Sequence, residues 1–188
     1  MAALSAFAAA LALAVAPPAA VERWSAEIAE ASARFGLPAV WIRRVMEVES
    51  GGLAAPGGRP VVSPKGAMGL MQVMPATWRE IRGILGLGSD PYQPRDNILA
   101  GSFYLRSMYD RFGYPGLFAA YNAGPARFAA ALRGGRPLPA ETEAYLDRLG
   151  EGLPLAQRTG PGPAPNAAAP GLRYNPSGPI FVVLHAQK

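Results

Sequence analysis

The sequence predicts a mainly α-helical domain, and three observations support that prediction. Apolar residues recur at helical spacing over about residues 21–150, without a sustained alternation of apolar and polar residues. Glycine and proline interrupt this pattern at intervals that suit helices of about 8–20 residues. Half of the 188 residues are hydrophobic and 16% are charged, a composition that supports a packed core.

Two helices are predicted on either side of residue 36. An apolar stripe runs from Val21 through Trp24 and Ile28 and stops at Gly36, a residue type that commonly ends helices. A proline suits the first turn of a helix, so the second helix is expected over about residues 38–50.

A long helix is predicted to begin at Asp96, whose side chain is a good N-cap, and to close at Gly113. Its apolar face comprises Ile98, Leu105, Met108 and Phe112. Shorter helices are expected over residues 76–85, 115–122 and 125–133, and over about 139–149. Loops rich in glycine and proline separate them.

The two ends of the chain differ in composition from the middle. Residues 1–20 carry no charge and contain an apolar stretch that ends in small residues and prolines, which predicts a signal peptide, with an uncleaved apolar helix as the alternative. Residues 151–188 contain 7 prolines and 5 glycines, which predicts a flexible C-terminal tail. Within this tail, residues 180–184 have the composition of a strand, which would need a partner strand to be stable.

Composition also narrows the kinds of catalytic and metal-binding group that the chain can use. The chain has no cysteine, which removes disulfides, thiol nucleophiles and zinc–thiolate sites. The single histidine, His185, lies three residues from the C-terminus, so neither a Ser-His-Asp triad nor a multi-histidine metal site is expected. The net charge of +5 is scattered along the chain and does not favour nucleic acid; it suits either an anionic polymer or simple solubility. Catalysis would therefore rest on carboxylates, without metal or cofactor.

Glu49 occupies a core position of the second predicted helix. The apolar stripe of this helix comprises Ile42, Val45 and Met46, and its next position is Glu49. A carboxyl group in apolar surroundings has a raised pKa, as a general acid requires. The structural alternative is a glutamate that only accepts hydrogen bonds at a helix end. Glu47, four residues after Arg43, suits a surface ion pair.

Two later segments supply polar groups of the kind that line a binding groove. Residues 63–77 hold several glycines, Gln72 and three methionines, among them Met71, whose side chain suits either a groove wall or a core. Tyr121 and Asn122 lie at the end of a later helix, before Gly124. Tyr121 either hydrogen-bonds the carboxyl of Glu49 or is a half-buried aromatic.

Taken in order, four motifs resemble those of the soluble lytic transglycosylase family, whose fold is similar to that of goose-type lysozyme. They are Glu49-Ser50-Gly51, Gly69-Leu70-Met71-Gln72 with its continuation Met74-Pro75-Ala76-Thr77, Ala120-Tyr121-Asn122-Ala123-Gly124, and Glu141-Thr142-Glu143-Ala144-Tyr145. The resemblance covers about residues 24–150 and implies a small single-domain member. The expected organisation is a signal peptide over 1–20, a lysozyme-like catalytic domain with a substrate groove over 21–150, and the tail over 151–188.

The resemblance implies a role for each matched residue. Glu49 is the acid/base residue, Tyr121 is the orienting tyrosine, and Tyr145 lies near the catalytic glutamate. Substrate-binding or orienting roles are implied for Ser50, Met71, Gln72, Tyr121, Asn122 and Tyr145.

The reaction that the resemblance implies needs one carboxylate. Glu49 protonates the oxygen between N-acetylmuramic acid and N-acetylglucosamine while the N-acetyl group of the substrate stabilises the developing cation. Glu49 then deprotonates the muramic C6 hydroxyl, which closes a 1,6-anhydro ring without water. Most glycosidases use two carboxylates, and sequence distance leaves Asp90, Asp96 and Glu80 open as a second one.

Two other functions remain open at this point. One is a lysozyme-like muramidase on the same fold, and the other is a non-catalytic peptidoglycan-binding component of an envelope-spanning machine. The resemblance and the predicted signal peptide together imply an exported, periplasmic and monomeric protein that acts on peptidoglycan glycan strands. Small members of the family often serve secretion or conjugation machines, so such an apparatus is an expected partner.

Overall fold

The computed structural model describes residues 20–151 and two short strands at 172–174 and 181–183. In this part of the chain a 3₁₀ turn over Ala20–Trp24 precedes seven α-helices. They are α1 (Ser25–Phe35), α2 (Ala39–Ser50), α3 (Pro75–Leu85), α4 (Pro94–Phe112), α5 (Gly116–Ala123), α6 (Pro125–Leu132) and α7 (Ala140–Glu151). Strand β1 (Leu172–Tyr174) pairs antiparallel with β2 (Phe181–Val183).

The mainly helical prediction is confirmed, and most helix bounds lie within two residues of those expected. Gly36 and Gly51 end α1 and α2 in the left-handed conformation, with φ of 62° and 63°. That conformation places little strain on glycine and explains why both helices stop there.

The predicted N-cap of the long helix is wrong. Helix α4 begins at Pro94 with Gln93 as its N-cap, two residues before Asp96. Proline has no N–H to satisfy and its fixed φ suits the first helical position, so the helix starts there without a capping side chain. The carboxylate of Asp96 instead accepts a hydrogen bond of 2.8 Å from the backbone N–H of Gly88.

Helix α4 is the centre of the described domain, because twelve of its nineteen residues are buried. It packs against α1, α3 and α5. The buried guanidinium of Arg106 donates a hydrogen bond of 2.6 Å to the carbonyl of Phe35, which caps the end of α1. Three helices are therefore arranged around one buried helix, α4, which we call the scaffold helix.

Helix α7 packs against α2 and α5. Arg44 of α2 donates to the backbone carbonyls of Arg148 and Leu149, and it also forms an ion pair with Glu47. Arg43 pairs instead with Glu22 at 2.6 Å. The predicted Arg43–Glu47 pair is therefore wrong, because Glu22 in the 3₁₀ turn competes for Arg43.

The segment between α2 and α3 contains a tight turn that the sequence pattern did not predict. Met68 and Val73 form an isolated antiparallel bridge with two backbone hydrogen bonds of 3.0 Å, and Met68 also bridges Val62. We call residues 68–73 the groove loop. Single bridges are too short to leave an alternating pattern in the sequence.

The remaining predictions concern the ends of the chain. The strand-like run at 180–184 does have a partner, since Leu172 to Tyr174 pair with residues 181–183 and β1 lies against α4. The predicted signal peptide lies outside the described residues, apart from residue 20, and so does the rest of the predicted tail beyond residue 151. No helix in the described ranges is both long and apolar enough to span a membrane.

Candidate active site

Glu49 lies in the last turn of α2, as the continuation of a fully buried stripe. The three preceding members of that stripe, Ile42, Val45 and Met46, have no exposed surface. Glu49 itself is partly exposed. Burial raises the pKa of its carboxyl from 4.5 to about 7. A pKa in this range allows the group both to give and to take a proton near neutral pH.

Three residues of α7 act on the Glu49 carboxyl. The hydroxyl of Tyr145 and the charge of Arg148 lower its pKa, whereas the charge of Glu141 raises it. The effect of burial is larger than any of these and leaves the pKa raised. Glu141 is exposed and bonded at 2.8 Å to Lys65, in the segment before the groove loop. The site is thus enclosed on one side by α7.

Tyr145 is the aromatic residue whose hydroxyl acts on the carboxyl of Glu49. Its side chain is only 2% exposed, and burial together with the charge of Glu49 raises its pKa well above 10. The hydroxyl stays protonated as a donor. No group in the described residues satisfies strict hydrogen-bond geometry with this hydroxyl. The hydroxyl nevertheless acts on the carboxyl of Glu49, whose pKa it lowers.

Ser50 connects the end of α2 to the groove loop. Its hydroxyl lies 2.8 Å from the carbonyl oxygen of Leu70 and 3.2 Å from that of Met46. The backbone N–H of Gly52 donates to the same hydroxyl oxygen at 3.2 Å. These bonds fix the end of α2, and with it Glu49, relative to the groove loop.

Tyr121 holds the other side of the groove loop. Its hydroxyl donates to the carbonyl of Met71 at 2.7 Å and not to Glu49, and the side chain is buried rather than half-buried. The side chain of Met71 is fully buried, so it packs in the core beneath the loop and does not line the groove. Gln72 follows with a left-handed φ of 47°, and its amide donates to the carbonyl of Gly69 at 2.8 Å. A non-glycine residue in that conformation is strained and needs support from its surroundings.

An open pocket of about 200 Å³ lies beside this loop. Its lining includes Gln72, Met74, Thr77, Tyr104, Tyr121 and Asn122. The buried hydroxyl of Thr142, at the start of α7, donates to the side-chain oxygen of Asn122 at 2.9 Å. This bond leaves the Asn122 amide N–H groups for a ligand. The pocket combines apolar walls with a few oriented polar groups, as ligand sites commonly do.

The structure brings the sequence-predicted site residues into two connected groups. Glu49 and Tyr145 meet at the junction of α2 and α7, while Gln72, Tyr121 and Asn122 line the pocket. The sequence reasoning missed Asn97, which is fully buried under the groove loop. The available signal for Asn97 was its place as a polar residue directly before the apolar run that starts at Ile98.

A helical domain built around one buried helix, with a protonatable glutamate beside an open groove, defines the lysozyme-like class. Residues 26–139 match the Transglycosylase SLT domain family, and the chain belongs to that family.

Relatives in sequence come from bacteria and a phage. The soluble lytic murein transglycosylase of Escherichia coli K12 is 45% identical over 74 residues, which are 36% of this chain and 12% of the relative. The transglycosylase of Enterobacteria phage PRD1 is 37% identical over 91 residues, which are 48% of this chain and 31% of the relative. This chain therefore matches a minor part of the length of either relative.

Solved structures share the fold. The 70-kDa soluble lytic transglycosylase from Escherichia coli has a TM-score of 0.60 and 28% identity, over 69% of this chain and 23% of that one. The lytic transglycosylase Slt from Pseudomonas aeruginosa, solved as an inactive glutamate-to-glutamine variant, has a TM-score of 0.58 and 28% identity, over 68% and 22% of the two chains.

Proposed function

We propose that this protein is a peptidoglycan lytic transglycosylase that cleaves the β-1,4 bond between N-acetylmuramic acid and N-acetylglucosamine without water. The observation that carries the proposal is the largely buried carboxyl of Glu49 at the end of α2, whose burial raises its pKa to about 7 and whose charge acts on Tyr121 in the pocket lining. Membership of the family and the named activity of its relatives support it.

In the first step, protonated Glu49 is the general acid. It gives its proton to the glycosidic oxygen as the bond from that oxygen to muramic C1 breaks, so the N-acetylglucosamine side leaves as an alcohol. The N-acetyl group of the muramic residue stabilises the positive charge that develops at C1. The raised pKa suits this step, because a general acid works best when its pKa lies near the working pH.

In the second step, the same carboxylate is the base. It takes the proton of the muramic C6 hydroxyl as that oxygen bonds to C1, which closes the 1,6-anhydro ring. The proton lost in the first step is regained here, so the balance of the reaction includes no water. Tyr145 is proposed to orient the carboxyl through its hydroxyl, which acts on Glu49.

A hydrolase on the same fold would need a second carboxylate to activate water. Glu141 is the acidic residue whose charge acts on Glu49, but it is exposed and committed to the ion pair with Lys65. Asp90 and Asp96 accept hydrogen bonds from the backbone N–H groups of Tyr92 and Gly88. These commitments favour the mechanism with a single carboxylate.

The other matched residues are given two kinds of role. Gln72 and Asn122 are proposed to contact the glycan, because both line the pocket. Ser50, Met71 and Tyr121 are proposed to hold the groove loop in place through their hydrogen bonds.

The proposed cellular location of the enzyme follows from its proposed substrate. Peptidoglycan lies outside the cytoplasm, and the apolar leader over residues 1–20 supports export to the periplasm. We propose that the protein acts there as a monomer, in the service of a secretion or conjugation apparatus. Location, oligomeric state and partner rest on the leader and on the family resemblance alone.

Digestion of purified sacculi by full-length protein tests the proposal. Glu49→Gln is expected to lose about 10²–10⁴-fold in rate while its circular dichroism stays unchanged, because a positioned acid/base group contributes that much. Glu47→Gln, two residues away on the same helix, is the matched control and should digest sacculi at a rate near that of the wild type. Wild-type activity in Glu49→Gln would refute the mechanism.

A further inference from the structure

Asn97 lies in the first turn of α4 and is completely buried beneath the groove loop. Its side-chain oxygen accepts a hydrogen bond of 2.8 Å from the backbone N–H of Met71. Its amide nitrogen donates to the carbonyls of Met68 at 3.0 Å and Pro91 at 2.8 Å. One side chain therefore satisfies three backbone groups on two loops.

The chemistry of this position requires an amide. An asparagine side chain offers an oxygen acceptor and two N–H donors, and all three functions are used here. Aspartate keeps the acceptor but loses both donors. Alanine removes all three hydrogen bonds and leaves the buried N–H of Met71 without a partner, and a buried polar group without a partner is costly.

Two glycines allow the groove loop to approach Asn97 and α4 closely. A Cβ at Gly69 would lie 2.5 Å from the Asn97 amide nitrogen. A Cβ at Gly101, four residues after Asn97 and on the same face of α4, would overlap the Cβ of Met71. The loop therefore rests directly on the backbone of the scaffold helix.

Met71 is consequently held at both of its backbone groups. Asn97 holds the N–H, and Tyr121 holds the carbonyl at 2.7 Å. The next residue is Gln72, which has a strained φ of 47° and lines the pocket. A strained conformation persists only when its surroundings fix it, and these two hydrogen bonds supply that restraint.

We propose that Asn97 is a positioning residue of the active site, which fixes the groove loop so that Gln72 meets the glycan in one orientation. The inference rests on the proposed function and deepens it. Asn97 is not a catalytic residue, because it is buried and acts on the substrate only through the loop.

Kinetics on soluble glycan strands of defined length test this role. Asn97→Ala is expected to lower kcat/KM by about 10- to 100-fold, mainly through KM, because misplacing a substrate-binding group by about 1 Å costs on that order. Combining Asn97→Ala with Gln72→Ala should add little further loss, since both changes remove the same interaction.

Arg106→Met is the matched control for a purely structural role. It removes a buried hydrogen bond made by the same helix, to the carbonyl of Phe35 instead of the groove loop. It should lower the melting temperature while kcat/KM of the folded protein stays unchanged. If Asn97→Ala does not fold, Gly101→Ala serves as the second variant, because its methyl group displaces Met71 while the side chain of Asn97 is kept.

The outcomes separate this inference from the proposed function. A wild-type protein that releases no products from glycan strands overturns both. An active wild type in which folded Asn97→Ala keeps its kcat/KM, or in which the losses of Asn97→Ala and Gln72→Ala multiply independently, overturns the role of Asn97 alone.

Discussion

The hydroxyl of Tyr121 donates a hydrogen bond of 2.7 Å to the carbonyl oxygen of Met71. The side chain is only 8% exposed, so this bond between α5 and the groove loop is shielded from water. Burial raises the pKa of Tyr121 well above 10, and the charge of Glu49 raises it further. Tyr121 is therefore near the carboxyl and fixes the loop beside it, without giving its proton to Glu49.

Tyr121→Phe is expected to destabilise the protein by about 1–3 kcal/mol, because it leaves the buried Met71 carbonyl without its donor. Urea unfolding measures the change. Tyr92→Phe, in the loop before α4, is the matched control. Equal stability of the Tyr121 and Tyr92 variants would contradict the role assigned to the bond.

The activity should fall as the pH rises through about 7, because the first step requires protonated Glu49. Glu141→Gln should move this fall to lower pH, since it removes a charge that raises the pKa of Glu49. Arg148→Met should move it to higher pH, since it removes a charge that lowers that pKa. Profiles of kcat/KM against pH measure both shifts, and profiles that coincide with that of the wild type would rule out Glu49 as the titrating group.

Glu49 should also make stability depend on pH. Its carboxyl titrates near 4.5 when unfolded and near 7 when folded, so between these values unfolding releases a proton and stability falls as the pH rises. Each unit of pKa difference corresponds to about 1.4 kcal/mol, which puts the full loss at about 3 kcal/mol.

Glu49→Gln is therefore expected to be more stable than the wild type at pH 8 and equally stable at pH 4. Urea unfolding at the two pH values measures the difference. If Glu49→Gln is less stable than the wild type at pH 8, the anionic carboxyl stabilises the folded protein, which would contradict a raised pKa.

Gly52 anchors the 3₁₀ turn to the end of α2. It has a φ of 74°, and a Cβ there would lie 2.5 Å from the backbone nitrogen of Val21. Gly51 has a similar φ of 63° but open space around it. Gly52→Ala should therefore lose clearly more stability than Gly51→Ala, although both variants strain the backbone. Equal losses in thermal unfolding would mean that the turn moves freely away from α2.

Much of the fold could be predicted because its signals are local. A glycine after an apolar helical pattern commonly ends the helix, as Gly36 and Gly51 do here. Glu49 stands out because it continues a stripe of apolar residues. The prediction for Asp96 failed because Pro94 starts a helix without a capping side chain.

The parts of the site that the sequence pattern could not reveal depend on tertiary contacts. Asn97 reaches Met71 from 26 residues away, and Thr142 reaches Asn122 from 20 residues away. Nothing in the periodicity of the chain records these pairs. Likewise, Tyr145 was connected to Glu49 through the family resemblance, and only the packing of α7 on α2 supplies a physical reason.

Mass spectrometry of the soluble products from purified sacculi tests the central claim most directly. If Glu49 works as the single acid and base, the full-length protein should release muropeptides that end in 1,6-anhydro-N-acetylmuramic acid. Products heavier by one water, with reducing ends, would contradict the claim and make Glu141 the first candidate for a second carboxylate.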